Sequence, residues 1–112
     1  MIKNFNFVLK NFQKMQEEIA KVQEQLEDLR VIGTSGGGMV EVTANGRQQI
    51  IRIKIEPEVY ESQDKEMLED LIIAAVNQAL ANAQEEAQEE MSKVTGGLLK
   101  NLPDGIKIPG LS

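Results

Sequence analysis

The chain contains no cysteine, no histidine and no tryptophan, and its aromatic residues are one tyrosine and three phenylalanines. Without thiolate or imidazole side chains there is no disulfide framework, no zinc site of the usual Cys/His kind and no catalytic triad that uses histidine. The few aromatic rings offer little surface for stacking bases or sugars. We therefore do not expect an enzyme, and we expect no cofactor, no metal and no small-molecule substrate.

Long apolar runs are also missing. No stretch approaches the roughly 20 apolar residues that a membrane-spanning helix requires. The N-terminal segment 1–12 contains lysines but lacks the sustained apolar stretch and the small-residue cleavage site of a secretory signal. The sequence therefore predicts a cytoplasmic protein with no membrane partner.

The net charge of −6 is distributed unevenly along the chain. Residues 56–90 carry eleven acidic side chains and one basic side chain, giving −10, whereas the rest carries 11 basic and 7 acidic side chains, giving +4. The first 14 residues contain Lys3, Lys10 and Lys14 and no acid. This polarity predicts an acidic C-terminal helix with basic clusters elsewhere, and a basic cluster can contact phosphates in a protein of negative net charge.

An apolar heptad repeat predicts an N-terminal helix from about residue 5 to about residue 29. Both seam positions are apolar in four consecutive heptads, with Phe5, Phe12, Ile19 and Leu26 at the first and Val8, Met15, Val22 and Leu29 at the second. Such a seam packs along another long helix, which belongs either to the same chain or to a second copy. We favour a second copy, with these contact residues: Phe12, Met15, Ile19, Val22 and Leu26.

The middle of the chain predicts a small antiparallel sheet over about residues 30–55. A short strand at residues 30–35 is followed by three glycines that permit a tight reversal, and the next strand alternates from Met39 to Ala44. Asn45-Gly46 predicts a two-residue hairpin turn, which would place Val40 opposite Ile51. The predicted buried face holds Val40, Val42, Ile51, Ile53 and Ile55, and the polar face holds Glu41, Thr43, Gln48, Arg52 and Lys54.

A second long helix is predicted from about residue 64 to about residue 94. Pro57 closes the last strand, Ser62 or Asp64 caps the helix, and Gly96-Gly97 ends it, which leaves a tail over residues 96–112. The predicted fold is thus a single α+β domain, residues 1–112, with a long helix, an antiparallel sheet of two to three strands and a second long helix. Helices of about 39 Å and 45 Å would overhang so small a sheet, which favours a dimer with projecting helical arms.

Four segments occur in an order that identifies a family resemblance: QKMQEEIAKVQEQL (13–26), SGGGMVEVTANGR (35–47), IRIKIEPEVY (51–60) and DKEMLEDLIIAAVNQAL (64–80). Together with the glycine- and proline-bearing tail, they resemble the YbaB/EbfC family of bacterial nucleoid-associated proteins. The resemblance implies a homodimer with tweezer-like helical arms, located in the cytoplasm and nucleoid. It also implies binding to duplex DNA with little sequence preference, and no catalysis. The first helix has fewer lysines than in many relatives, which leaves the strength of DNA binding open.

Positive charge makes Lys3, Lys10 and Lys14 of the first helix, and Arg52 and Lys54 of the sheet, candidate phosphate contacts, and the resemblance favours this interpretation. The alternative is that these cations are solvated, with Arg52 paired to Glu41. The corresponding alternative function is a protein-only coiled-coil adaptor or scaffold that does not bind DNA.

Two other segments have a structural explanation. Ser35-Gly36-Gly37-Gly38 is predicted to be a plain turn, because a phosphate-binding loop is followed by a helix and here a strand follows. The glutamates of segment 85–90 are predicted to form a solvated helix face, since no histidine completes a di-metal helix motif.

Overall fold

The computed structural model describes residues 2–100 and, within them, the side chains of residues 5–94. The elements in chain order are α1 (Ile2–Asp28), β1 (Val31–Ser35), a 3-10 turn (Gly36–Gly38), β2 (Val40–Ala44), β3 (Ile50–Ile55), α2 (Pro57–Glu61) and α3 (Lys65–Lys100). The strands form one antiparallel sheet in the order β1-β2-β3. The predicted α+β fold class is confirmed. No helix in the described range is long and apolar enough to cross a membrane.

The core lies between the sheet and α3. Val40, Val42 and Ala44 of β2 are fully buried, as is a row of α3 alanines, four residues apart, at positions 75, 79 and 83. Gly33 of β1 lies directly under this row, because a Cβ added there would be 2.5 Å from the Ala75 carbonyl oxygen. The small residues on both elements let α3 pack closely against the inner face of the sheet, the face that carries Val40 and Val42.

α3 covers only part of that inner face. It contacts β1 and β2, whereas five of the six residues of β3 are exposed. Ile53 lies opposite Val42 and Ile55 opposite Val40, so both share the inner face. Ile53 is nevertheless 43% exposed and Ile51 is 48% exposed. The predicted burial of these two isoleucines is therefore wrong within one chain, because α3 does not extend over β3.

The predicted hairpin register is also wrong. Val40 pairs with Ile55 rather than with Ile51, and Ala44 pairs with Ile50, with a bulge between Thr43 and Ala44. The shift at Val40 is four residues, an even number, so Val40 and Ile55 still share a face as the alternation predicted. A loop of residues 45–49 replaces the two-residue turn, and its positive φ lies at Gln48 rather than at Gly46.

The wider loop results from two sets of hydrogen bonds. The Asn45 Oδ1 atom accepts bonds from the backbone N–H groups of Arg47 and Gln49, each at 3.0 Å. The Gly46 N–H donates to the carbonyl oxygen of Leu26 in α1 at 2.7 Å. The contact with α1 is non-local, and it holds the loop in a conformation that the Asn-Gly pair alone does not specify.

The C-terminal half departs from the prediction at two places. Pro57 begins the short helix α2, and Asp64 then caps α3 by accepting a 3.0 Å hydrogen bond from the Met67 N–H. α3 continues through Gly96 and Gly97 to Lys100, so its predicted end is wrong. Glycine costs a helix only about 1 kcal/mol relative to alanine, and no proline lies between Pro57 and Pro103. The predicted tail from residue 101 onward lies outside the described residues.

The single chain is elongated. Its extents are 72 × 27 × 16 Å and its radius of gyration is 20.9 Å, against about 13 Å for a compact domain of this size. Exposure rises along the heptad seam of α1 toward its N-terminus, from 4% at Leu26 to 51% at Phe12 and 66% at Phe5. The seam is thus covered by the same chain at its base, where α1 contacts α3, and is open along the rest. We call the part of α1 that precedes Val22, residues 2–21, the α1 arm.

Candidate nucleic-acid interface

The α1 arm carries its lysines on the side opposite the apolar seam. Lys10 and Lys14 are exposed and lie about 6 Å apart along the helix axis, at heptad positions that face away from the seam. Lys3 lies seven residues before Lys10 in the same helix, and its side chain is outside the described ones. A surface that covers the seam would leave this row of lysines free.

Lys10 and Lys14 have no acidic partner among the side chains that the structure describes. Among the described side chains, ion pairs join Arg47 to Glu27, Lys65 to Glu69 and Lys93 to Glu90. Neither Lys10 nor Lys14 takes part in any of them. The first acid of the chain is Glu17, so the N-terminal part of the arm is a region of uncompensated positive charge.

Lys21 is a basic residue on the same side of α1 that the sequence analysis did not select. It lies seven residues after Lys14, a heptad spacing that could have identified it. Glu17 and Glu24 also lie on that side of the helix, four residues before Lys21 and three residues after it. The lysines of α1 that precede Glu17 are therefore the ones that no acid of the same helix segment offsets.

Arg52 and Lys54 lie on the outer face of the sheet, the face turned away from α3. Arg52 is opposite Thr43, and Lys54 is opposite Glu41. Both cations are exposed. The suggested Arg52–Glu41 pair is not a directly opposed pair in this register, and within the described residues no ion pair joins Glu41 to Arg52 or Lys54.

The lysines of α3 that the structure describes are partnered by acids. Lys65 lies 3.9 Å from Glu69, and the Lys93 ammonium donates a 3.0 Å hydrogen bond to Glu90. This bond and the Glu90 charge raise the pKa of Lys93. In residues 2–100 no group of three or more acidic side chains is placed to hold a metal ion. Positive charge is thus concentrated on the N-terminal part of α1 and on the outer sheet face, whereas α3 is acidic.

The five residues predicted to form a dimer contact differ in how much surface they retain. Val22 is 6% exposed and Leu26 is 4% exposed within the single chain. Met15 and Ile19 are half-buried, and Phe12 is 51% exposed. Phe12 therefore has more surface for another molecule than Val22 or Leu26, which the chain itself already covers.

The arrangement of arm, three-stranded sheet and long second helix agrees with what sequence comparison finds. The model of the YbaB/EbfC DNA-binding family matches residues 1–98. The chain belongs to this family. A nucleoid-associated protein of Caldanaerobacter subterraneus subsp. tengcongensis is 55% identical over 100 residues, covering 89% of this chain and 88% of the relative. A nucleoid-associated protein of Syntrophobacter fumaroxidans is 45% identical over 111 residues, covering 99% and 97%.

A solved structure supports the same fold for this YbaB/EbfC family chain. The crystal structure of an uncharacterized protein from Helicobacter pylori is similar with a TM-score of 0.65 at 24% identity. The match covers 85% of this chain and 96% of the other. The likeness extends beyond the sheet into the helices, because it covers 85% of this chain and the sheet occupies only residues 31–55.

Proposed function

We propose that this protein is a dimeric nucleoid-associated protein that binds duplex DNA with little sequence preference, mainly through phosphate contacts. The observation that carries the proposal is the unpaired Lys10 and Lys14 on the side of α1 opposite the seam, in a chain of a DNA-binding family. Relatives named nucleoid-associated proteins support a location on the nucleoid. Lys3 extends the row by two helical turns, and Arg52 and Lys54 provide a second basic surface.

Phosphate contact is the chemistry that this lysine row favours. A lysine ammonium is a flexible point charge that neutralises phosphate oxygens without reading base edges. The row follows one helix, with its members four and seven residues apart. We therefore expect similar affinity for unrelated duplex sequences and a steep loss of affinity with added salt.

The surfaces that a single chain leaves uncovered support the proposed self-association. β3 is an edge strand of six residues, it contains no proline, and Ile51 and Ile53 are nearly half exposed on it. An exposed apolar edge strand is a template for pairing with another strand. We infer that β3 pairs with β3 of a second copy, which would continue the sheet and cover the isoleucines that α3 does not reach.

The open part of the α1 seam is the other surface proposed for a second copy. Phe12, Met15 and Ile19 remain candidate contacts there, whereas Val22 and Leu26 contribute to the base of α1 within the chain. With β3 at the centre of the dimer, the α1 arms would project from a shared body and present their lysines to the duplex.

DNA titrations at several salt concentrations test the proposal. For the unmodified protein we expect binding in the micromolar range, with a slope of log K against log salt of about −0.9 for each phosphate contacted. The triple variant Lys3→Gln, Lys10→Gln, Lys14→Gln should flatten the slope and weaken binding to every duplex alike. Lys65→Gln is the control, because it removes one exposed lysine from the acidic helix α3.

Two results would contradict parts of the proposal. If the triple variant binds DNA as the unmodified protein does, the α1 arm is not the contact surface. If the unmodified dimer does not bind duplex DNA even at low salt, the alternative of a protein-only coiled-coil scaffold replaces the proposed function.

A further inference from the structure

The outer face of β3 carries two cations at the strand proposed as the dimer contact. Arg52 and Lys54 are two residues apart, so their side chains leave the same side of the strand about 7 Å from each other. Both are exposed, and neither forms an ion pair within the described residues. In one chain they form a small basic pair at the edge of the sheet.

If two β3 strands pair, Arg52 and Lys54 of one copy come close to Arg52 and Lys54 of the other. Directly opposed residues in an antiparallel ladder point to the same face. The isoleucines of both copies must lie on the inner face, so Ile53 can lie opposite Ile53 of the partner subunit, but not opposite the partner's Arg52. In that register Arg52 lies opposite Lys54 of the partner subunit, and the reverse pair lies beside it.

Among the other registers that keep the isoleucines inside, the one centred on Arg52 also pairs five of the six β3 residues, and it gives the same result. Centring the pairing on Arg52 sets Arg52 opposite Arg52 of the partner subunit and Ile51 opposite Ile53 of the partner subunit. Opposed side chains are about 5 Å apart at Cβ. In either register the cations of two copies meet at the centre of the outer sheet face.

We infer that Arg52 and Lys54 from two copies form a composite phosphate-binding site on the outer face of the sheet. Like charges directly opposed across a ladder destabilise strand pairing, and a bound anion removes that repulsion. The arginine fork can bind two oxygens of one phosphate, and the lysine adds a point charge. The inference rests on the proposed dimer, since one copy supplies only half of the site.

Glu41 lowers the affinity of this site for an anion. It lies opposite Lys54 on β2, is half-buried, and faces the same side of the sheet. The two copies therefore contribute four cations and two carboxylates, a net charge of +2. Such a site attracts a phosphate group and is weakened by each neighbouring carboxylate. The phosphate belongs either to a DNA backbone or to a free phosphate ion.

The test measures the dimer dissociation constant by sedimentation, in chloride and in inorganic phosphate at matched ionic strength. Phosphate should tighten the dimer of the unmodified protein by about tenfold. In the double variant Arg52→Gln, Lys54→Gln the dimer should form equally well in both buffers, because the repulsion and the site are both lost. Glu41→Gln should enlarge the phosphate effect, and Lys65→Gln should leave it unchanged.

Duplex titrations separate the two sources of phosphate. If the DNA backbone occupies the site, the slope of log K against log salt should become shallower by about 0.9 for each phosphate contact that the double variant removes. If free phosphate is the ligand, the double variant keeps the slope while the phosphate effect on the dimer disappears. Either result supports the site.

Three results would overturn it. The first is a dimer dissociation constant of the unmodified protein that is equal in both buffers. The second is a phosphate effect that persists in the double variant, and the third is a chain that remains monomeric in phosphate. The lysine variants of the α1 arm test DNA binding independently. If those variants lose DNA binding and phosphate has no effect on the dimer, the composite site is ruled out and the proposed function still stands.

Discussion

Asn45 is the buried polar side chain of the described structure, with 1% of its surface exposed. Its Oδ1 atom accepts two backbone hydrogen bonds, and its Nδ2 group donates a 2.8 Å bond to the Gln49 side chain. These bonds close the loop between β2 and β3. Neighbouring Gly46 packs against α1 so closely that an added Cβ would lie 2.9 Å from the Leu26 carbonyl oxygen. The two residues therefore fix the position of the helix base relative to the sheet.

Replacing Asn45 with alanine should lower the free energy of unfolding by about 1–3 kcal/mol, because two partly buried backbone N–H groups lose their acceptor. Urea unfolding at a fixed protein concentration measures the change, since the stability of a dimer depends on concentration. Asn77→Ala on the exposed side of α3 is the matched control and should change stability little. Equal stability of both variants would show that the loop does not depend on the Asn45 side chain.

The packing of α3 on the sheet is decided by small residues on both elements. The alanines of α3 face Gly33, and a Cβ at Gly33 would come within 2.7 Å of the Ala79 Cα atom. Backbone atoms cannot move aside as a flexible side chain can. A methyl group added at Gly33 would therefore push the helix and the strand apart.

Gly33→Ala should destabilise the fold by about 2–3 kcal/mol through this overlap. Gly96→Ala is the contrasting variant, because a Cβ there meets nothing within 4 Å and the residue lies inside α3. It should raise stability by about 0.5–1 kcal/mol, the difference in helix propensity between the two residues. Thermal unfolding of both variants measures the two effects. A Gly33→Ala protein as stable as the unmodified one would rule out the close packing described for this position.

Elements that depend on local patterns could be predicted from the sequence, and those that depend on packing partners could not. The heptad repeat predicted α1, and the alternation around Val42 predicted β2 and its buried face. The register failed because the Gly46 N–H bonds to Leu26, a residue distant in sequence. The exposure of Ile53 could not be predicted, because it depends on how far α3 extends across the sheet.

The candidate site, too, could be predicted only in part from the sequence. The positions of Lys10 and Lys14 opposite the seam follow from heptad spacing alone. Their freedom from ion pairs is a property of the folded chain. The neighbours of Arg52 could not be predicted either, because a four-residue change of register places Thr43 opposite it.

At the scale of the whole molecule, the elongated shape and the uncovered β3 strand both favour association. A charge placed in the centre of that strand should prevent it. Ile53→Asp should weaken dimer formation by about 3 kcal/mol, since the carboxylate would be buried without a partner. Sedimentation equilibrium over a wide dilution range measures the change, and circular dichroism checks that helix content is retained.

Two further variants locate the contact. Ile73→Asp, at an exposed residue of α3 away from the sheet, is the control and should leave association intact. Phe12→Asp tests the open part of the seam in the same assay. Normal association of the Ile53→Asp protein would exclude β3 as the interface, and a loss of association in Phe12→Asp alone would assign the contact to the α1 arm.

The rising exposure along α1 has a consequence for its dynamics. Tertiary packing supplies most of a helix's stability, and here that packing is confined to the base, where Val22 and Leu26 are buried. Opening can therefore start at the N-terminal end of the arm and proceed toward the base without disturbing the sheet. Binding to the arm therefore carries an entropy cost of ordering it, which offsets part of the attraction between the lysines and a phosphate backbone.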